Sequence, residues 1–310
     1  MALKDIKEKI QSVQKTAKVT KAMESVSAVK MRRAQEDAIR SRPYTHAAFS
    51  ILRHLSYVSK MNVDQMYDFH TKDSGRICIV LITSSKGLSG ALNANIFKKL
   101  ESLLEVNNWD TQNTDFICVG KKGREYVERK GYKVIHTRDQ FDDNDAGPVL
   151  REISDLCLDL FHHHDYQQIH TVYTNFISTT EQEAVSGKIL PIKHKEIEEF
   201  IREAIPRSGR YSNMHDFDFD KETEQTSEYL YEPDPETLIK HLVPHLLYIG
   251  LYHSLLESKA SEHSARMIAM KNATDKANEV ASDLNREYNK ARQAAITQEI
   301  SEIVTGMETM

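Results

Sequence analysis

A pair of closely spaced glycines is the part of this sequence that most resembles a phosphate-binding site. Gly87-Leu88-Ser89-Gly90 has the pattern G-x-x-G and lies between an apolar run and a segment with helical character. Backbone N–H groups at the start of a helix bind phosphate, but the spacing matches neither the G-x-x-x-x-G-K-[ST] loop nor the G-x-G-x-x-G turn. A dinucleotide site would also place an acid near residue 121, where the sequence has Lys121 and Lys122. We therefore interpret Gly87 and Gly90 as a tight strand-to-helix turn and expect no cofactor.

Histidines and cysteines could bind a metal, but their spacing does not favour it. His162-His163-His164 are consecutive, so on a helix their side chains point in different directions and one metal ion cannot use them all. His241 and His245 are four residues apart, but no glutamate completes an H-E-x-x-H motif. The three cysteines have neither metal-ligand nor redox spacing: Cys78, Cys118 and Cys157. We expect no metal site and assign no catalytic residue.

The composition favours a folded protein with long helices. The chain of 310 residues has 41 Lys and Arg against 46 Asp and Glu, a net charge of −5, and 40% of its residues are hydrophobic. That apolar fraction can fill a core. The chain has only 11 glycines and 7 prolines, which is typical of uninterrupted helices. No apolar run approaches the roughly 20 residues of a membrane-spanning helix.

The N-terminal segment has the period of a coiled coil. Between residues 3 and 42 it contains neither proline nor glycine, and apolar residues recur at alternating steps of three and four: Leu3, Ile6, Ile10, Val13 and Ala17. This spacing keeps one apolar stripe against a partner helix. Met23, Val26 and Ala34 extend the stripe less regularly. We predict a coiled-coil helix over residues 1–60.

The C-terminal segment carries a second stripe of the same period, in which small residues predominate. Its members are Met267, Met270, Thr274, Ala277, Ala281, Leu284, Tyr288, Ala291 and Ala295. Small side chains let a partner backbone approach closely, and two such helices at opposite ends of a chain pair most simply with each other. We predict that residues 237–310 form a helix antiparallel to the first one. The longer C-terminal helix should then project beyond its partner.

Apolar residues continue past the second stripe, on the part of the helix that should have no partner helix. They are Ile296, Ile300, Ile303, Val304 and Met307. We interpret them as pointing in several directions, so that a single helix could not cover them all. A frayed end of this composition would promote aggregation. A surrounding apolar sleeve explains these residues better.

The middle of the chain, residues 75–190, alternates between apolar runs and amphipathic segments. Strands are predicted at 76–83, 114–120, 133–136 and 168–176, with helices at 91–106, 122–130 and 148–161. This alternation predicts a Rossmann-like α/β domain. The fold class is therefore α+α/β, a long antiparallel two-helix coiled coil from the N- and C-terminal segments with a central α/β domain. Residues 193–236 form an acidic insertion, with 13 acids against 5 bases from His194 onward.

The N-terminal helix is strongly basic. Residues 1–42 hold 11 Lys or Arg and 5 Asp or Glu, a net charge of +6 (11 − 5). Nucleic-acid binding is one interpretation, but no aromatic residues alternate with the basic ones to stack on bases, so we expect no nucleic acid. A solvated helix face and a surface for an acidic protein partner stay open at this point.

Several sequence blocks resemble the gamma subunits of F-type ATP synthases, over essentially the whole chain. Near the N-terminus the block is Lys18-Val19-Thr20-Lys21-Ala22-Met23, and in the middle it is Ser84-Ser85-Lys86-Gly87-Leu88-Ser89-Gly90-Ala91-Leu92-Asn93. Near the C-terminus, Ala265-Arg266-Met267 and the run from Tyr288 to Ile303 are highly specific. The family signature ends in Gly-Ala, whereas here Gly306 is followed by Met307. That departure bears only on packing at the end of the helix.

The resemblance implies a rotor rather than an enzyme. In this family the coiled coil lies inside a hexamer of alpha and beta subunits, and the α/β domain is a foot on the epsilon subunit and the membrane ring of c subunits. ATP chemistry belongs to beta. Contacts with beta are implied for Lys21, Met23, Arg266, Arg292, Gln293, Thr297 and Glu299. The bearing would be the apolar tip, Ile296, Ile300, Ile303, Val304 and Met307, and the foot turn would contain Gly87, Gly90 and Asn93.

Location and the role of the acidic insertion also follow as expectations from the resemblance. Because no transit peptide precedes Met1, we expect a peripheral protein at the cytoplasmic face of the bacterial inner membrane. The insertion at 193–236 would tune the contact of the foot with epsilon or block idle ATP hydrolysis.

Two other function classes stay open. A free-standing coiled-coil scaffold would explain the two helices but not the glycine turn. A small-molecule enzyme built on the α/β domain would need a nucleotide site.

Overall fold

The computed structural model describes residues 3–58, 75–140, 146–163, 166–191, 232 and 234–308 of the chain. Its elements follow in the order α1 Leu3–Val58, β1 Arg76–Ile82, α2 Leu92–Val106, β2 Thr114–Val119, α3 Lys121–Arg129, β3 Lys133–Arg138, α4 Ala146–His163, β4 Tyr166–Phe176, β5 Gln182–Leu190 and α5 Pro235–Glu308. The terminal helices contain 56 and 74 residues and lie where the apolar stripes predict them. Within the ranges just given, no helix has a stretch long and apolar enough to cross a membrane.

Five strands form one sheet with the order β3-β2-β1-β4-β5. The first four strands run parallel, whereas β5 pairs antiparallel with β4. Every residue of β1 after Arg76 is buried, which is typical of a parallel strand that is covered on both faces. Ile79 of β1 pairs with Phe116 of β2 on one side and with His170 of β4 on the other. The strand order confirms the Rossmann-like prediction.

Alternate residues of β1 point to opposite faces of the sheet and divide the apolar core into two clusters. The odd-numbered residues from 77 to 81 pack in the cluster that contains Ile96 and Leu100 of α2. The even-numbered residues from 78 to 82 pack in the cluster that contains Leu150 of α4 and Val243 of α5. The first part of α5 therefore belongs to the core around the sheet.

The predicted strands and helices of the middle segment are present, but one strand was missed. Each predicted element overlaps an observed one, with ends that differ by at most two residues. The missed strand, β5, has the sequence Q-E-A-V-S-G-K-I-L, in which small and polar residues hide any apolar alternation. It is a strand because its backbone pairs with β4, from Phe176↔Gln182 to Ile169↔Leu190.

The chain separates into two compact units. One contains residues 1–29 and 266–310, and the other contains residues 30–265. We call the first the helical unit and the second the α/β unit; α1 and α5 contribute to both. The domain limits predicted from the sequence, 1–60, 75–190, 193–236 and 237–310, stay predictions. Most of the acidic insertion, residues 193–231 and 233, lies outside the described residues.

Candidate functional site

One stripe of α1 is covered within the helical unit. Ile6, Ile10 and Ala17 are buried, as the coiled-coil spacing predicts. Further along, the covered stripe contains Ser27, whereas Val26 is 58% exposed. The prediction for Val26 was wrong because steps of three and four from Ala17 lead through residues 20 and 24 to 27. Position on the helix, rather than hydrophobicity, decides burial there.

The stripe of α5 is confirmed along its whole predicted length. All nine of its residues, from Met267 to Ala295, are buried or half-buried. Met270, Thr274 and Ala281 are the most covered. Neighbours on other sides of the helix, such as Lys290, are exposed. The covered side of α5 is therefore narrow and consists largely of small residues, which suits close contact between two helices.

The two stripes pair antiparallel. Thr20 of α1 meets Thr274 of α5, with 2.7 Å between their Oγ1 atoms. Leu3 lies 17 residues before Thr20 (20 − 3), so in an antiparallel pair it faces residue 291 (274 + 17). The burial of α5 fades near that residue: Ala291 and Ala295 are half-buried, and every residue from 296 to 303 is exposed. The end of α5 therefore extends past the start of α1, as predicted.

The contact between Thr20 and Thr274 is a polar pair inside an otherwise mostly apolar stripe. Thr274 Oγ1 lies 2.8 Å from the Met270 carbonyl oxygen. Thr20 Oγ1 lies 3.1 Å from the carbonyl oxygens of residues 16 and 17. Each hydroxyl has one proton, so one hydroxyl can donate across the interface while the other donates to its own helix. A polar pair at one position of a coiled coil specifies its register. The spacing of three from Ala17 could have identified Thr20.

The apolar residues beyond the helix pair are exposed on one side of α5. Exposure rises from 47% at Ile296 to 74% at Met307, with Ile300 and Ile303 between these values. The side chain of Val304 lies outside the described residues. Steps of four, three and four place the other four within about 60° of one another around the helix. For these four residues, the expectation that the apolar side chains of the tip point in several directions is therefore wrong. We call Ile296, Ile300, Ile303 and Met307 the tip stripe.

The tip stripe does not continue the stripe that α1 covers. Steps of three and seven from Ala295 lead to Gln298 and Glu302, whose side chains are hydrogen-bonded to each other at 3.0 Å. The tip stripe is rotated from that line by about a third of a turn. Where the partner helix ends, the side that faced it becomes polar and a different side becomes apolar. This change indicates a contact with something other than α1.

Four residues that the resemblance implies as contacts with beta border the tip stripe. Arg292, Gln293, Thr297 and Glu299 are all exposed. On a helix, Arg292 and Glu299 fall on one flank of the stripe, and Gln293 and Thr297 fall on the other. Thr297 donates a hydrogen bond to the Gln293 carbonyl oxygen at 2.9 Å. An apolar line with polar borders has the composition of a protein-contact surface.

The three other residues that the resemblance implies as contacts with beta lie within the paired part of the two helices. They differ in how accessible they are to another protein. Lys21 is exposed and forms an ion pair with Glu24 at 3.0 Å. Met23 is half-buried. Arg266 is buried, so a partner could touch only a small part of it. The contact roles of Lys21, Met23 and Arg266 stay predictions.

The glycine turn between β1 and α2 is held by its own side chains. Asn93 accepts a hydrogen bond from the Ser84 N–H at 3.3 Å and donates one to Ser84 Oγ at 2.7 Å. Gly90 has a φ of +60°, a left-handed conformation that favours glycine. A Cβ at Gly87 would meet nothing within 4 Å, and nothing in the structure explains glycine there. Asn93 therefore uses both ends of its amide to shape the turn.

Helix α5 contacts the carboxyl end of β4, beside the edge of the sheet where Rossmann folds bind nucleotides. Such ligands bind at the carboxyl ends of the strands where the strand order reverses, which here lies between β1 and β4. Glu257 of α5 accepts a hydrogen bond from the Phe176 N–H at 3.1 Å. Ser264 donates to the Thr179 carbonyl oxygen at 2.6 Å. Helix α5 therefore binds the backbone at the end of β4 and just beyond it.

The cysteines serve the core rather than chemistry. All three are buried, and burial raises the pKa of Cys118 and Cys157 to about 12. Their thiols stay protonated at neutral pH and are not nucleophilic. Across the part of the chain that the structure describes, no group of three or more His, Cys, Asp or Glu residues could hold a metal ion.

The chain is similar to one family along its whole length. A family model described as ATP synthase matches residues 2–310. The ATP synthase gamma chain of Salinibacter ruber is 33% identical over 99% of this chain and 98% of the relative. That of Stenotrophomonas maltophilia is 37% identical over 98% of this chain and 97% of the relative. A chain from the Euglena gracilis mitochondrial ATP synthase (OSCP/F1/c-ring) has a TM-score of 0.62 at 18% identity, over 99% of this chain and 94% of that one. At that identity, the likeness shows the fold alone.

Proposed function

The chain belongs to the ATP synthase gamma-chain family, and we propose that it is the central rotor shaft of a proton-translocating F-type ATP synthase. The helical unit lies in the hexamer of alpha and beta subunits. The α/β unit is the foot that contacts the epsilon subunit and the c-ring. The chain transmits torque between the two ends of the complex and catalyses no reaction itself.

The tip stripe is the observation that carries this proposal. Its four apolar side chains are exposed, although the apolar stripes of the helix pair next to it are covered. Exposed apolar surface of this kind marks a protein contact. A turning contact has to avoid directional bonds, and apolar contacts are non-directional. Because the stripe occupies one side of the helix, its contact with a surrounding sleeve is asymmetric. An asymmetric shaft can act on the surrounding catalytic sites one at a time.

The paired part of the helical unit suits torque transmission. Continuous helical hydrogen bonds resist extension, and the small residues of the α5 stripe bring the two helices close together. The hydroxyl pair of Thr20 and Thr274 opposes slippage of one helix along the other, because a shifted register would separate the two hydroxyls. Twist applied at one end is then passed along both helices together.

The polar residues of the helical unit supply contacts that can break and re-form. Arg292, Gln293, Thr297 and Glu299 contact beta beside the tip stripe, and Lys21, Met23 and Arg266 face an acidic part of the same subunit. The net charge of +6 in residues 1–42 favours an acidic partner. Exposed ion pairs contribute about 0.2–1 kcal/mol each, which is weak enough for repeated release.

The location of the protein follows from the partners of the foot. Residues 75–190 contact epsilon and the c-ring, so the chain is peripheral to the cytoplasmic face of a bacterial inner membrane. The acidic segment 193–236 tunes the contact with epsilon or restrains idle ATP hydrolysis.

Arg292→Ala tests the shaft in a complex reconstituted with alpha and beta in proton-pumping vesicles. ATP synthesis should fall about two- to fivefold, because an exposed contact of about 0.5–1 kcal/mol is lost at a step of rotation. The matched control is Arg286→Ala, which changes an exposed arginine of the same helix that lies 3.7 Å from Asp283. ATP synthesis by this variant should be unchanged. Both variants should co-purify with alpha and beta. If Arg292→Ala supports ATP synthesis at the wild-type rate, Arg292 has no role in the contact with beta. If the unmodified chain does not co-purify with alpha and beta, the proposal that it is the rotor shaft is refuted.

A further inference from the structure

A cleft of about 550 Å³ lies between the C-terminal ends of α2 and α3 in the α/β unit. Three aromatic rings line it, those of Trp109, Tyr126 and Tyr132. The cleft is at the amino ends of β2 and β3, because these strands follow directly after the two helices. It is therefore on the opposite edge of the sheet from the glycine turn.

Trp109 is held in the cleft by the end of α2. The backbone N–H of Trp109 donates to the Leu104 carbonyl oxygen at 2.9 Å. The backbone N–H of Asn108 donates to the Glu105 carbonyl oxygen at 3.2 Å. Asn108 has a φ of +53°. These two bonds and the left-handed residue form a Schellman motif, which ends a helix and packs the next side chain against its last turn.

Tyr132 is held in the same way by the end of α3. Its N–H donates to the Val127 carbonyl oxygen at 3.1 Å, and the Gly131 N–H donates to the Glu128 carbonyl oxygen at 3.0 Å. Gly131 has a φ of +84°. The two helices thus end in the same motif, and each motif places one ring on the cleft. Rings fixed by backbone hydrogen bonds are preorganised, which lowers the cost of binding a ligand.

The electrostatics of the cleft favour a cation. The C-terminal end of a helix carries about half a negative elementary charge, and both α2 and α3 end here. Glu101, Glu105 and Asp110 line the cleft together with a single base, Lys130. Lys130 already pairs with Glu101, with 2.8 Å between Nζ and Oε1. Among the described residues that line the cleft, no second basic side chain offsets the negative charges of Glu105 and Asp110.

Lys130 shows how one half of the cleft binds a cation. Its Nζ lies 5.7 Å from the centre of the Tyr126 ring. The carboxylate of Glu101 binds both Lys130 and the Tyr126 hydroxyl, which donates to it. An aromatic face beside a carboxylate is the chemistry of a cation–π site.

The other half of the cleft has the same combination of groups. Trp109 and Tyr132 supply the rings, and Glu105 and Asp110 supply the carboxylates. Asp110 Oδ1 accepts the backbone N–H groups two and three residues further on, at 2.9 and 3.1 Å, which fixes the carboxylate and leaves Oδ2 for another donor. Burial raises the pKa of Tyr132, and the nearby charge of Asp110 adds to the increase. This half therefore has a ring and a fixed carboxylate near each other.

We propose that this half of the cleft binds the guanidinium group of an arginine on a partner protein. A guanidinium is flat, stacks on aromatic rings and carries several N–H donors in one plane, one of which can pair with Asp110 Oδ2, whereas an ammonium cannot stack in this way. A volume of about 550 Å³ exceeds one side chain and accommodates the residues on either side of the arginine. The occupant is therefore a protein segment. This binding uses the α/β unit alone and stands whether or not the chain is a rotor shaft.

Trp109 is the only tryptophan of the chain, so its fluorescence reports the cleft directly. The probe is the peptide acetyl-Gly-Arg-Gly-amide, titrated into the full chain at neutral pH. The same peptide with citrulline, the uncharged isostere of arginine, is the control ligand. We expect the Trp109 fluorescence to change saturably with the arginine peptide. The citrulline peptide should bind about tenfold more weakly, because its hydrogen bonds no longer come from a charged group.

A pair of matched variants separates the cleft from general surface charge. Glu105→Gln removes an exposed carboxylate of the cleft and should weaken binding of the arginine peptide about threefold. Glu183→Gln removes an exposed carboxylate of β5 outside the cleft and should leave binding unchanged; far-UV circular dichroism checks that both variants fold. Equal binding of the arginine and citrulline peptides, or equal effects of the two substitutions, would overturn the proposal. So would equally tight binding of a lysine peptide or of free spermine.

Discussion

Two isoleucines of the helical unit allow the covered stripe and the tip stripe to be compared by one substitution. Ile6 is 2% exposed, whereas Ile300 is 56% exposed. Ile6→Ala and Ile300→Ala remove the same carbon atoms from a helix and change helix propensity by the same amount. A difference in the free energy of unfolding between the two variants therefore measures how well the rest of the chain covers each side chain.

The expected difference follows from the buried surface. Removing three buried carbons at about 0.8 kcal/mol each costs about 2.4 kcal/mol at Ile6. The cavity left behind adds to this, and core Ile→Ala changes cost about 2–5 kcal/mol. The better helix propensity of alanine returns a few tenths of a kcal/mol. We expect a loss of about 2–4 kcal/mol for Ile6→Ala, and a change within about 0.5 kcal/mol for the exposed Ile300→Ala.

Urea unfolding with two probes measures this difference. Far-UV circular dichroism follows the helices, and fluorescence of Trp109, the only tryptophan, follows the α/β unit. With a slope of about 1–3 kcal/mol per molar urea, Ile6→Ala should lower the midpoint of the helical transition by about 1–2 M. The fluorescence midpoint should stay in place for both variants.

Two outcomes would refute the reasoning. Equal midpoints for Ile6→Ala and Ile300→Ala would show that α5 does not cover α1 as described. A large loss in Ile300→Ala would show that the chain itself covers the tip stripe, which would then be unsuited to a bearing. Ile10→Ala, at another buried position of the α1 stripe, should behave like Ile6→Ala.

Two further predictions concern the α/β unit. A Cβ at Gly120 would lie 2.1 Å from the Thr83 carbonyl oxygen at a φ of +105°, so Gly120→Ala should cost more than about 3 kcal/mol. At Gly90 the φ is +60° and a Cβ would meet open space, so Gly90→Ala should cost about 1–2 kcal/mol. Urea unfolding followed by Trp109 fluorescence measures the loss of stability in both variants. Equal losses would contradict the close packing at Gly120. Burial lowers the pKa of His170 from 6.5 to about 4. The unfolded chain therefore takes up this proton first, and stability should fall as the pH drops from about 6.5 to about 4. His170→Gln should remove that part of the pH dependence, and an NMR titration of His170 with a midpoint above about 6 would contradict the lowered pKa.

The helix pair and most of the sheet could be predicted because their signals are local and periodic. Steps of three and four from Leu3 to Ala17 and from Met267 to Ala295 describe the sides of two helices that face a partner. Alternation of buried strands with helices restricts the topology, since crossovers between parallel strands are right-handed and short. The approximate ends of the elements and the Rossmann-like class of the domain were predicted in this way, whereas the order of the strands was not.

The features that were missed depend on neighbours far away in the chain. β5 is a strand because β4 presents an edge to it, and its own residues show little of this. Trp109 and Tyr132 share a cleft because α2 and α3 end at the same edge of the sheet. The spacing of residues along the chain does not indicate that these two helix ends lie side by side.

Periodicity and residue type were enough to identify the long helices and the side of each that avoids water. They could not tell which side chains of α1 would be covered, since Val26 is strongly hydrophobic and exposed, whereas Ser27 is polar and buried. Coverage depends on where the partner helix begins and on the register of the pair, which the contact of Thr20 with Thr274 defines in space. The overhang of α5 was predicted from the lengths of the two helices, whereas the residue at which its covered stripe ends emerged from the folded arrangement, because burial is a property of two surfaces and not of one.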